Sequence, residues 1–151
     1  TRTPLSLEAS REEIVVTATG PAVAWSQPIP VDTSLLYDIS AEVRMIDLHG
    51  DRFAQTRIYL GVETLDENMK PLRSGGGSYR YSGALSYYLS PAQGWTKLEG
   101  TMKGEGDEAQ SQFRPGTRFI RVVALLNHRS EGLTAEIRNV RFSPRIDLIK
   151  L

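Results

Sequence analysis

Four of the six tyrosines fall in one short stretch, "RSGGGSYRYSGALSYY" (73–88), together with two arginines and three consecutive glycines. Tyrosine faces can stack on the C–H surfaces of a sugar, and guanidinium, amide and carboxylate groups can hydrogen-bond its hydroxyls. A second set with the same chemistry lies in "FAQTRIYLGVETL". Read as a strand, that segment buries Ala54, Ile58, Leu60 and Val62 and puts Gln55, Arg57, Tyr59 and Glu63 on the opposite face. The candidate ligand-binding residues are therefore Arg57, Tyr59, Glu63, Tyr79, Arg80 and Tyr81, with Tyr87 and Tyr88 also available. The competing reading turns alternate tyrosines into the core; Tyr37 is assigned there outright. Tyr79 and Tyr81 share a parity that Arg80 and Tyr88 do not, so in one regular strand only one set can face a ligand. Tyr79 and Tyr81 are the expected pair.

Other chemistries lack their residues. A phosphate loop needs a strand before its glycines and a helix with a lysine after them, and "SGGGSYRYSG" has neither. Ser78 lies in "GGSYR", not in a Gly-x-Ser-x-Gly elbow. His49 in "DLHGD" and His128 in "LLNHRS" read as turn residues at strand ends, with no second ligand at metal spacing. The acids Asp66–Glu67 and Glu105–Asp107–Glu108 fall in turns and a loop, not across a cleft as a glycosidase requires. A polysaccharide lyase is the better enzymatic alternative, because Gln55, Arg57 and Tyr59 could neutralise a uronate and abstract its proton.

Composition narrows the partners. The 151 residues are 40% hydrophobic and 24% charged, enough for one domain with a core. Lys+Arg and Asp+Glu both total 18, so there is no net basic field to hold nucleic acid. No apolar run approaches the roughly 18 residues of a membrane span. There is no cysteine, hence no disulfide, thiolate metal site or thiol nucleophile. The cations are 14 arginines against 4 lysines, a bias that suits bidentate contacts with carboxylates or sulfates and makes an acidic glycan a candidate ligand. A chain that starts at Thr1 is expected to be a processed product or a piece of a longer protein with neighbouring domains.

The elements that must position these residues are strands. Period-two alternation recurs, and no segment sustains a period of 3.6. "EEIVVTAT" aligns Ile14, Val16 and Ala18; "LLYDISAEVRMID" aligns Leu35, Tyr37, Ile39, Ala41, Val43 and Met45 inward. "GWTKLEGTMK" aligns Leu98 and Met102, and "RFIRVVALLNH" is apolar on both faces and reads as central. In "TAEIRNVRF", Ala135 and Ile137 differ in parity from Val140 and Phe142, which predicts a β-bulge near Arg138–Asn139. The segment 103–118 reads as an exposed loop with at most a short helical turn. Trp25 shares parity with Val23 and Ile29 and is expected buried; Trp95, just after a loop, is expected to cap the core. The fold class is all-β: a two-sheet antiparallel β-sandwich, a jelly roll, of about eight or nine strands over 1–144, with 145–151 a tail, linker or added edge strand.

This order of features resembles the galactose-binding-like jelly rolls, in particular the non-catalytic carbohydrate-binding modules of bacterial polysaccharide-active, surface and phage-tail proteins. The residues that carry the resemblance are "YDISAEVRM", "YLGVETLDENMKPL", "GWTKLEGTM", "FRPGTRFIRVVALLNH" and "AEIRNVRF". It implies a lectin-like module that binds a polysaccharide or surface glycan outside the cell or at its surface. The alternative it leaves open is a structural domain of a surface or phage-tail assembly. Such modules often hold a structural calcium ion through an acid in the last strand. Arg138 stands where that acid is expected, which leaves Glu8 and Glu136 as the oxygen donors.

Overall fold

The computed structural model describes residues 3–6, 15–46, 54–73, 79–129 and 131–145, with the backbone alone at 3–4 and 83–88. Among the described residues ten strands form two facing sheets: β1 (Thr3–Ser6), β2 (Val16–Thr19), β3 (Ala22–Trp25), β4 (Ile29–Pro30), β5 (Tyr37–Ile46), β6 (Thr56–Leu65), β7 (Arg80–Leu89), β8 (Thr96–Met102), β9 (Phe119–Leu126) and β10 (Thr134–Pro144). The six-stranded sheet runs β1-β3-β9-β6-β7, with β4 also paired to β9, and the four-stranded sheet runs β2-β10-β5-β8. All pairs are antiparallel except β1 with β3. The count exceeds the sequence expectation because β1 and β4 are four and two residues long. Segments that short carry no alternation to read.

The sandwich follows from the patterning. β5 alternates buried and half-buried without a break from Tyr37 to Ile46. Its inward row meets Ile58, Leu60 and Val62 of the facing β6, all fully buried. Leu35 does not join that row; it precedes the strand and is 43% exposed. β9 is central, between β3 and β6, and Ile120 to Leu126 are buried on both of its faces apart from half-buried Arg121.

The bulge is present in β10. Pairing with β5 steps from Arg138↔Glu42 to Arg141↔Ser40, one extra residue on β10, and Asn139 takes the left-handed conformation with φ 53°. Asparagine tolerates that region better than most residues. The step returns Val140 and Phe142 to the core side, where Phe142 stacks on Tyr37 at 4.8 Å between ring centroids.

Segment 103–118 is a correction. It contains no strand, yet Phe113 is fully buried, edge-on to Tyr37 at 5.7 Å, and Arg114 and Thr117 are buried beside it. A lone aromatic in a polar run shows no period, so alternation cannot report that it plugs the core. The 3-10 turn lies elsewhere, at Pro91–Gln93. The two sheets are also stitched by a buried amide. Asn127 Nδ2 donates to the carbonyls of Ala18 (3.1 Å) and Gly20 (2.9 Å), and its Oδ1 accepts from Thr56 Oγ1 (2.9 Å). Ala18 belongs to one sheet and Thr56 to the other.

Candidate functional site

The outward-facing side of the six-stranded sheet is apolar where a solvated sheet face would be polar. Val23, Val123 and Leu125 are buried there, and Trp25, Tyr59, Tyr79 and Tyr81 pack over them. Strand register explains the grouping. Trp25 pairs with Val123 and Val23 with Leu125 across β3 and β9; Gly61 pairs with Val123 and Tyr59 with Leu125 across β9 and β6. Side chains of one parity thus form a continuous patch spanning three strands, and β7 brings Tyr79 and Tyr81 to its edge. The Tyr59 ring lies 5.1 Å from Tyr81 and 5.1 Å, edge-on, from His128; Tyr79 lies 6.2 Å from Tyr81.

Polar groups border this platform. Glu63 pairs directly with Arg121, two residues along each strand from the Gly61–Val123 pair. Glu63 is only 9% exposed, and burial pushes its carboxyl above the usual carboxylate range, opposed by the charges of Arg121 and then Arg73. Two buried donors on this side, Trp25 Nε1 and Arg121 Nε, have no hydrogen-bond partner among the described residues. Thr64 Oγ1, Arg80 Nε, Ser82 Oγ and, in the other sheet, Arg138 Nε share this state, so it does not single out the platform. An aromatic floor bordered by the charged side chains of Glu63 and Arg121 can stack a pyranose ring and hydrogen-bond its hydroxyls.

The structure sorts the six candidates unevenly. Tyr59, Tyr79 and Tyr81 come together, and Glu63 and half-buried Arg57 share the outward parity of Tyr59 on β6. Arg80 does not join them. It is 4% exposed, and its guanidinium donates to the carbonyls of Ala109 and Gly106 and to Asp107. Sequence reading missed Trp25, Arg121 and His128. The signal for Trp25 was in "AVAW": Ala22 and Ala24 are the small inward residues, which turns Val23 and Trp25 outward.

The calcium expectation meets a different environment. Glu8 lies outside the described residues. Both oxygens of Glu136 are engaged, one by Arg44 Nε (2.7 Å) and Nη2 (2.6 Å) and the other by Thr17 Oγ1 (3.0 Å). A carboxylate neutralised by a guanidinium does not suit a cation, and among the described residues no three His, Asp or Glu side chains gather as a metal site. Arg44 and Arg138 also stack on Trp95, at 4.5 and 3.9 Å from the ring centroid. Trp95 is therefore a half-buried residue of the four-stranded sheet's outer face, held by two cations, and not a cap on the core.

A groove of about 500 Å3 on that same outer face is lined by Asp38, Ser40, Lys97, Glu99, Thr101 and Arg145 among others. It has no aromatic lining, and its charges pair with one another: Lys97 with Glu99 at 3.4 Å, Arg145 with Asp38 at 2.5 Å. The Arg145 guanidinium holds the Asp38 carboxyl below its ordinary range. The aromatic face has the better credentials because it offers rings on which a sugar can stack.

No protein-family model and no curated protein matches the sequence. The fold does match solved structures. One, described as "CBM4 structure and function", aligns with TM-score 0.50 and 10% identity over 89% of this chain and 73% of that one. The CBM22-1-CBM22-2 tandem domain from Paenibacillus barcinonensis Xyn10C aligns with TM-score 0.52 and 13% identity over 95% of this chain and 45% of that one. The enzymatically active domain of bacteriophage CBA120 tailspike protein 4 aligns with TM-score 0.52 and 10% identity over 87% of this chain. This chain spans 15% of the tailspike domain and less than half of the tandem domain. These likenesses are of fold: a two-sheet β-sandwich shared with solved structures of very different sequence.

Proposed function

We propose that this protein is a non-catalytic module that binds a polysaccharide or surface glycan on the outward face of its six-stranded sheet. The observation that carries the reading is the aromatic cluster of Trp25, Tyr59, Tyr79 and Tyr81 on that face, bordered by Glu63 and Arg121. The fold shared with carbohydrate-binding modules supports it. Arg57 and Arg121 on this face, and Arg73 near Glu63, outnumber the one glutamate and favour a ligand with some acidic sugars. An extracellular or cell-surface location within a longer chain fits this role.

Two other readings make different demands. As a lyase base, Tyr59 would have to address a substrate proton, whereas its ring packs between Tyr81 and His128 as part of a platform. As a purely structural domain of a phage-tail or surface assembly, to which the tailspike likeness gives some weight, the chain would not need an aromatic cluster on an outward sheet face.

Affinity electrophoresis in gels containing neutral polysaccharides (xylan, mixed-linkage glucan) or anionic ones (alginate, pectate) tests the proposal. Retardation that is lost in Tyr59→Ala and Tyr81→Ala is expected. Release of ultraviolet-absorbing unsaturated uronates would instead establish the lyase. No retardation, together with a stable oligomer in light scattering, would establish the assembly domain.

A further inference from the structure

The part of β7 that carries the site tyrosines is held irregularly. Its pairing with β6 jumps from Leu60↔Ala84 to Val62↔Arg80, so three residues of β7, 81–83, lie opposite Gly61 alone. Two glycines admit this bulge. A Cβ on Gly61 would run into the Arg80 carbonyl and the Tyr81 backbone, and a Cβ on Gly100, in the opposite sheet, would run into the Ser82 carbonyl. Among the described residues β7 is also the edge strand of its sheet, paired there with β6 alone.

A loop supplies the missing restraint. Residues 104–113 form a tight turn in which Phe113 N–H donates to the Gly104 carbonyl (2.8 Å) and Gly106 N–H to the Phe113 carbonyl (2.9 Å). Fully buried Phe113 roots this turn in the core. From there the loop reaches β7 by four contacts. Arg80 donates through Nη1 to the Ala109 carbonyl (2.5 Å) and through Nη2 to the Gly106 carbonyl (3.3 Å) and Asp107 Oδ1 (2.8 Å). The Tyr81 backbone N–H donates to Gln110 Oε1 (3.0 Å). Arg80 lies between Tyr79 and Tyr81 in sequence and points the opposite way, so the loop grips the strand at the two residues that fix where both rings stand.

We infer that residues 104–113 are a latch that sets the geometry of the tyrosine face, with Arg80, Asp107 and Gln110 as positioning residues for the ligand and not contacts to it. This rests on the glycan-binding reading of that face. The Arg80 side chain is 5% accessible and that of Asp107 50%, so the latch can be opened from its solvent side without emptying a buried site.

The test uses the full chain, the double variant Asp107→Ala/Gln110→Ala, and its conservative counterpart Asp107→Glu. With tyrosine ring 13C labels, the double variant is expected to lose the ring-current shifts that Tyr59 and Tyr79 impose on Tyr81, and Asp107→Glu to retain most of them. Binding to soluble xylan or to alginate is expected to fall about tenfold in the double variant, the worth of a charge-assisted hydrogen bond. On a Tyr79→Ala/Tyr81→Ala background the same change should alter binding less than about twofold, because a residue acting through the tyrosines has nothing left to act on. Unchanged tyrosine resonances, or unchanged affinity in a chain that does bind, overturns the latch. Shifted resonances in a chain that neither polysaccharide retards leave the latch standing and remove the glycan reading.

Discussion

Replacing Trp25 by phenylalanine separates the packing role of the aromatic face from its role in binding. In the free protein Trp25 Nε1 is buried without a partner among the described residues. An unsatisfied donor of that kind costs about 1–3 kcal/mol, and phenylalanine removes it. The smaller ring gives up roughly 40 Å2 of apolar contact on a half-buried site, about 1 kcal/mol. Stability in Trp25→Phe should therefore stay level or rise by up to about 2 kcal/mol, against the usual sign for shrinking a packed aromatic. Binding should change by less than about twofold, because Nε1 is buried beyond a ligand's reach and the stacking face remains. Urea unfolding followed by far-ultraviolet circular dichroism gives the first quantity, and affinity electrophoresis against the retarding polysaccharide gives the second. A variant destabilised by more than about 2 kcal/mol would refute the unsatisfied donor, and a loss of affinity of about tenfold would refute its burial beyond a ligand's reach.

Other substitutions probe the scaffold and its charges. Asn127→Leu removes an amide that makes three hydrogen bonds, two of them buried, and should lower the unfolding free energy by about 3–5 kcal/mol in urea titrations. Gly61→Ala drives a Cβ into the β7 backbone and should cost about 1–3 kcal/mol by the same measurement, with binding reduced because Tyr81 is displaced. Glu63 has a folded-state pKa raised by burial above its ordinary 4.5, so the folded chain binds the proton more tightly than the unfolded one. Its favourable contribution is complete below that value and is lost as pH rises through the folded pKa. Glu63→Gln should accordingly raise the urea midpoint at about pH 7 and leave it unchanged near pH 3.5; an equal gain at both would contradict a desolvated carboxylate.

Local pattern sufficed for much of the sandwich. The unbroken alternation of β5 marked one face as buried wherever the strand packed. The parity conflict between Ile137 and Val140 located the bulge, because an extra residue is the one way to keep both on the core side. Apolar residues on both faces placed β9 in the middle of its sheet. Parity likewise put Tyr79 with Tyr81, and Arg57, Tyr59 and Glu63 on a common side.

Alternation says which side chains travel together, not what each side meets. Both faces of β9 are apolar in sequence, and only pairing with β3 and β6 shows that Val123 and Leu125 floor an outward platform while Val122 and Ala124 enter the core. Trp25 could be turned outward only once Ala22 and Ala24 were seen against the opposite sheet. Arg80 carries the same charge as Arg57 and Arg121, yet the loop rooted by Phe113 takes it out of the site. Strands and their two-sided character are legible in the chain alone, because they depend on neighbours two residues away. The candidate site is not, because Trp25, Glu63, Tyr81 and Arg121 come from four strands whose adjacency is set by pairings dozens of residues apart.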